Sequence, residues 1–503
     1  MNIKKIILIA YYIFILYQDS TLSSMFPNAY QYTISKTELK TRMANQYNMT
    51  FVDAQLFGAI EEPAKQDVII CAVWQGAYSF HKKNNFACSF SINKKDIMSI
   101  AGDNITNKTA SRDIRAEYIG GTGDTDAEME LRAKQDLNSA KIFVQFPLEK
   151  MTGLCYLHNW FVSIRTSITS LTQQLSLLLR GTPESTIPHI YNFFANVTPY
   201  AKIDNRERNT TGVDNITITL DGVYCNKNKT LQIYYYSGLE FPTEFTYSTP
   251  YLFYPFVGNN GNLGIMLGVD FRSYLYSNNI HEVGFLCEFE NHYLTYKTMD
   301  RVFDLFQQND QYFSVNAVND INKPWSRYLP AYNFDHPQET ALPVSMVSNL
   351  PVRVHECNNC DLSLGLLYHY RRCKNNSDYY ISLGYNLWMS QPEYIELQDR
   401  VFPGPYQHFY NHGIAGSQPQ TTSSQSTIKT QLENDKNPTH FTITDLDYGS
   451  AVSDGSYSQG GFLRVTILQE NNWNVLLGSW FEIGKYKMAP SRYGFWAGLG
   501  YQF

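Results

Sequence analysis

Between Leu263 and Tyr293 the chain alternates apolar and polar residues with a period of two, twice over, across one tight turn. Leu263, Ile265, Leu267, Val269, Phe271 and Leu275 take one parity, and Gly268, Asp270, Arg272 and Tyr274 take the other. After Ser277-Asn278-Asn279, the residues Val283, Phe285, Cys287, Phe289 and Tyr293 oppose Glu282, Gly284, Glu288, Glu290 and His292. Successive side chains of a strand point to opposite faces, so this is a hairpin with one greasy face and one polar or ionic face. A helix would pair apolar residues three apart as well as four, and strict alternation does not follow that spacing.

The same alternation recurs along the chain. Val68, Ile70, Ala72, Trp74, Gly76, Tyr78 and Phe80 share a parity, as do Phe86, Cys88, Phe90 and Ile92. Further segments lie near 140–147, 153–166, 214–224, 229–238, 361–371, 378–390, 461–470, 472–484 and 493–503. An even-stranded barrel asks for one more, expected around Phe441 and Ile443. Alternation alone also suits a soluble sandwich. Two features favour a membrane barrel: several segments reach the 9–11 residues that cross a hydrocarbon layer, and tight turns alternate with long polar insertions. The insertions are expected at about 93–139, 297–360 and 391–440, and short helices near Ser167–Arg180 and Thr298–Gln308.

Composition narrows the class. Only 17% of the 503 residues are charged, below the ~25% of ordinary soluble domains, while 15% are aromatic. A net charge of −6 without basic clusters argues against nucleic acid, which demands concentrated Lys and Arg. The N-terminus reads MNIKK followed by an apolar run from Ile6 to Tyr17, ending at Gln18, Asp19 and Ser20. That is the length of a secretory signal core and too short for a spanning helix. Residues 1–23 are therefore expected to be a cleavable signal peptide, with an uncleaved anchor as the alternative. Residues 24–64 would form a periplasmic or plug segment, and 65–503 the barrel.

The last segment, RYGFWAGLGYQF, puts Tyr493, Phe495, Ala497, Leu499, Tyr501 and Phe503 on one apolar parity that ends in the terminal aromatic. This resembles the terminal β-signal of bacterial outer-membrane proteins, which implies the barrel-assembly machinery as a partner and Tyr493, Phe495, Leu499, Tyr501 and Phe503 as its assembly signal. LEFPTEFTYSTPYLFYPFVGNNGNLGIMLGVDF, with VHECNNCDLSLGLLYHYRR and YYISLGYNLWMSQPEYIEL, resembles segments of uncharacterised porin-like outer-membrane proteins from host-dependent, small-genome bacteria. Glu244, Asn262, Leu263 and Met389 depart from that pattern. The resemblance spans roughly 140–503 and implies a fold more firmly than an activity.

Chemistry beyond the barrel is thin. Eight cysteines are no disulfide-dense scaffold, although Cys357, Cys360 and Cys373 could pair in an oxidising periplasm. HECNNC has half the ligands of a zinc site and no matching half. Cys71, Cys88 and Cys287 read as small hydrophobes. His408 and His412 have helical metal spacing without a third ligand, and Asp124 and Asp126 could attract calcium, though a solvated turn explains them as well. Nucleophile-elbow, Walker and dinucleotide fingerprints are missing, so no catalytic residue, cofactor or metal is assigned.

The expected fold is all-β: a transmembrane antiparallel barrel of about 12–16 strands, with long loops and a few short helices. If the parity of Leu263 faces lipid, then Asp270, Arg272, Glu282, Glu288, Glu290, His292, Arg464 and Glu482 face the lumen. The expected role is non-enzymatic: porin-like passive diffusion of small hydrophilic solutes across a bacterial outer membrane, with outer-membrane lipid as the surrounding solvent. Two alternatives stay open: a closed structural or adhesin-type barrel, and a secreted soluble β-rich binding protein, to which eight N-x-S/T sequons near chance frequency add little.

Overall fold

The computed structural model describes residues 68–503 apart from 81–96, 109–111, 244–250, 306–325, 337–341, 373–376, 415–438, 486–490 and some single positions. The expected signal peptide, the segment 24–64 and the strand at Phe86–Ile92 lie outside the described residues. Twelve antiparallel strands close into a barrel. They are β1 (Ile69–Ser79), β2 (Asp126–Pro147), β3 (Trp160–Thr182), β4 (Ile216–Cys225), β5 (Leu231–Phe241) and β6 (Gly264–Ser277). The other half comprises β7 (His281–Val302), β8 (Asn349–Arg372), β9 (Ser377–Ser390), β10 (Ser456–Leu468), β11 (Trp473–Lys485) and β12 (Arg492–Gln502). Each strand pairs with its neighbours in sequence, and β1 closes the sheet against β12 from Ile69↔Gln502 to Ser79↔Arg492.

The two rims differ. The short connections 226–230, 278–280, 373–376 and 469–472 share a rim with the 148–159 connection and with both ends of the closed sheet. The opposite rim carries the long connections 80–125, 183–215, 242–263, 303–348 and 391–455 and the short 486–491. Among the described residues, α-helices occur only in connections: Leu148–Thr152, Ile187–Asn192, Val344–Val347 and Pro403–Tyr410. Among the described residues no helix is long and apolar enough to cross a membrane, which says nothing about strands.

The wall reverses polarity along its height. On β2, Ile142, Val144 and Phe146 point out while Ser139, Lys141 and Gln145 are buried inside. Closer to the long-loop rim the pattern inverts: Glu128, Glu130, Arg132 and Lys134 point out, and Ala127, Met129, Leu131 and Ala133 are buried. The inner apolar residues of β2 and β3 join Phe193, Phe194, Leu252, Phe253 and Tyr328 from three connections in one core. A second core gathers Leu350, Val352 and Val354 of β8 with Val344, Ile395, Tyr406, Phe409, Phe441 and Val452. Within these rim cores Arg327 donates to Asp304 with both side chains buried, at 2.9 Å through Nε. Burial works against the guanidinium charge, yet the Asp304 carboxylate holds Arg327 above its ordinary range. Tyr406 donates to the Pro351 carbonyl at 2.7 Å, and burial pushes its phenol up to about 12.

Several expectations are corrected. Ser167–Arg180 is no helix but the upper part of β3, a 23-residue strand. Leu171, Leu175 and Leu177 are buried while Thr172, Gln174 and Ser176 face out, and the added Leu178 and Leu179 imitate helical spacing. Thr298–Val302 likewise continues β7. Residues 126–139 belong to β2 and 349–360 to β8, so the first two insertions end earlier than expected, while the third runs on to residue 455. On β8 the buried parity switches, from Asn359, Asp361 and Ser363 to Leu350, Val352, Val354 and Glu356, and that break hides the strand from a period-two reading. Phe441 and Ile443 supply no barrel strand; Phe441 packs in the second rim core and Ile443 starts a single helical turn.

Candidate functional site in the barrel interior

Alternation places the ionic side chains inside the wall, where other polar groups can solvate them. The outer face is an apolar belt: Phe285, Leu366, Leu383 and Leu463 are exposed in adjacent register on β7, β8, β9 and β10. Ile164, Ile218, Leu239 and Leu267 continue it on β3 to β6, and Leu477 and Leu499 on β11 and β12. Tyr493, Phe495, Leu499 and Phe503 of the C-terminal segment are exposed on this face, and Tyr501 is half-buried. Glycines on the inner face make room for rings: a Cβ at Gly478 would come within 2.1 Å of the Trp496 ring, and one at Gly268 within 2.0 Å of Tyr236.

All eight residues nominated from parity, Asp270, Arg272, Glu282, Glu288, Glu290, His292, Arg464 and Glu482, are buried. For Glu288, Glu290, His292 and Arg464, contacts between strands that are not neighbours show that they point inward. Arg165 on β3 reaches Glu290 on β7 at 3.0 Å, across three intervening strands. Arg464 on β10 reaches Glu288 on β7 at 2.7 Å and donates through Nε to Ser382 at 2.9 Å. Tyr236 donates to Glu290 at 2.6 Å, and His292 bridges Glu290 at 2.7 Å and Glu240 at 3.1 Å. Asn259, from the β5–β6 connection, donates to Glu240 at 3.1 Å and ties the long-loop rim to this network.

Two smaller networks flank it. Arg492 pairs with Glu482 at 2.7 Å and donates to Gln135 at 2.6 Å. Glu282 takes His369 at 2.6 Å and Arg371 at 3.4 Å near the short-turn rim, where His369 stacks on Tyr380 with ring centroids 4.0 Å apart. Sequence parity did not nominate Arg165, Glu240, Asp221, Lys141 or Arg492. On β3, β4, β5 and β12 charges are few, so the ionic face is faint there; on β2 most charges lie on the opposite parity from Lys141 or near the long-loop rim.

Among the described residues no three His, Cys, Asp or Glu side chains could hold a metal ion together. His408 and His412 lie with ring centroids 4.5 Å apart at the end of the Pro403–Tyr410 helix, and His412 meets the His408 carbonyl. Asp124 accepts from Asn104 and Asp126 from Lys108, so each has a protein partner. Of the three cysteines expected to be able to pair, Cys357 and Cys360 are not placed to bridge each other. Cys360 is a buried free thiol. Cys357 sits three residues away in the same extended strand, roughly 10 Å along it, beyond the Cα separation a disulfide bridges. Cys373 lies outside the described residues. Cys71 is buried on the inner face, opposite the parity of Ile70 and Ala72.

No family model and no curated protein matches the chain. Its fold is similar to that of an outer membrane channel from Pseudomonas putida F1, at 8% identity and a TM-score of 0.36, over 87% of this chain and 95% of that one. It is also similar to the transport unit of the autotransporter AIDA-I from Escherichia coli, at 10% identity and a TM-score of 0.31, over 91% and 96% of the two chains. A monoaromatic hydrocarbon channel matches at 7% identity and a TM-score of 0.29, over 91% and 94%. Likeness at this level assigns no function.

Proposed function

We propose that the chain spans a bacterial outer membrane as a twelve-stranded barrel and conducts small hydrophilic solutes, with the cross-lumen ion pairs as its constriction. One observation carries the reading: the outer wall exposes a continuous apolar belt while the inner wall at the same height is ionic. In water that arrangement is inverted; in lipid it is the stable one, because charges are tolerated on a lumen face and costly on the lipid face. Both chain ends of the sheet and the short connections on their rim would lie on the periplasmic side, and the long connections outside. The C-terminal strand would be read by the barrel-assembly machinery. No enzymatic reaction is assigned.

The near-complete burial of the inward charges favours a second reading, a barrel that stays shut and displays its long-loop rim as a structural or adhesive surface. Planar-bilayer recording on the folded protein separates the two. Folding is checked first by gel migration: a faster unboiled band marks a closed barrel. Discrete conductance steps support the channel, and a silent folded barrel overturns it in favour of the structural one. Charge reversal at Glu288 or Arg272 is expected to shift ion selectivity of the channel.

A further inference from the structure

On its β4–β7 side the interior buries Asp221, Glu240, Asp270, Glu288 and Glu290. Asp221 accepts from Gln145, Glu240 meets His292, Glu288 meets Arg464 and Glu290 meets Arg165. The exception is Asp270. It is 1% exposed, and neither carboxylate oxygen has a hydrogen-bond partner among the described residues. It stands directly across the β6–β7 ladder from Glu288, which gives one oxygen to Arg464 and leaves the other unpartnered. Like charges opposed in a ladder destabilise a sheet, and a buried carboxylate without a hydrogen bond adds to that cost. Such a pair is relieved by a shared proton or by a cation seated between the two carboxylates.

Building on the channel reading, we infer that Asp270 and Glu288 form a lumen site for the primary ammonium group of a small cationic solute. A metal ion fits poorly, since no three ligand side chains converge among the described residues. An alkylammonium asks for less: its three N–H donors can span the free oxygens of two carboxylates. Aromatic faces also favour such a cation, and Tyr234 lies directly opposite Asp270 on the other ladder.

The probe is 1,4-diaminobutane, titrated calorimetrically into the detergent-folded barrel, with KCl as the reference cation. Wild type is expected to bind it, Asp270→Asn to bind at least tenfold more weakly, and Asp270→Glu to retain most of the affinity. Equal binding by wild type and Asp270→Asn, or none by wild type, overturns the site, and the gel shift of each variant shows that the barrel has folded. Bilayer recording on the same proteins keeps the two claims apart. Conductance that diaminobutane blocks in wild type and not in Asp270→Asn supports both. Conductance without cation preference or block sinks the site and leaves the channel. Calorimetric binding to a silent barrel keeps the site and sinks the channel.

Discussion

Leu366 offers the sharpest test of which solvent surrounds this barrel. It is 66% exposed, and its register neighbours Phe285 and Leu383 are exposed beside it. On a soluble protein an exposed Leu replaced by Arg shifts stability by no more than about 0.5 kcal/mol and improves solubility. Facing hydrocarbon near the middle of a spanning strand, the same change costs about 2–4 kcal/mol, because the guanidinium loses its hydration. That is a factor of roughly 30 to 1,000 in the folding equilibrium at 1.4 kcal/mol per decade. The assay is urea titration of protein refolded into lipid vesicles, followed by the fluorescence of its seven tryptophans. Thr172→Arg serves as the control. Thr172 faces outward on β3 above the belt, beside Asp136 of β2, and is expected to change stability by no more than about 0.5 kcal/mol. If Leu366→Arg is as stable as Thr172→Arg, the belt does not face lipid and the membrane reading fails.

Other perturbations address the interior and the rim. Arg464→Ala removes the cross-lumen bond to Glu288 and should raise single-channel conductance, whereas a lower or unchanged conductance would show that the pair is not the constriction. Gly478→Leu drives a side chain into the Trp496 ring and is expected to cost about 1–3 kcal/mol in the same urea titration; no loss would mean that the ring moves freely. Asp304→Asn strands the buried Arg327 charge, worth roughly 3–5 kcal/mol to the rim core. Limited proteolysis should then cut the long connections while the gel shift of the barrel persists. Removing Phe503 should lower the folded yield in cells and leave refolding of the purified chain in detergent unchanged; equal loss in both settings would refute an assembly signal.

What parity could reveal depended on what each face touches. From Leu263 to Tyr293 the outer face meets one environment and the inner another over the full length, so the side of every residue was readable. The inward placement of Asp270, Arg272, Glu288 and Glu290 follows from that stretch alone. Ser167–Arg180 was misread because β3 leaves the belt there: its outer face turns polar, its inner face turns apolar, and the contrast that marks a strand in lipid is exchanged for its opposite. On β8 the switch of buried parity between Glu356 and Asn359 split one strand into a visible half and a hidden one. The partners of Glu290 were beyond reach for another reason, since which strands face each other across a lumen depends on strand number and stagger, and local patterns carry neither.

The seam between β1 and β12 constrains how such a molecule can come into being. Its eleven residue pairs join the two ends of the described chain, so a ribosome that has made eleven strands has still made an open sheet. Until Tyr493–Gln502 is complete, β1 carries an unsatisfied row of amides and carbonyls that no hydrocarbon can solvate. On the membrane reading, insertion of a finished wall must therefore wait until β12 has been made. Every earlier truncation is expected to leave a sticky edge in search of a partner, not a smaller barrel.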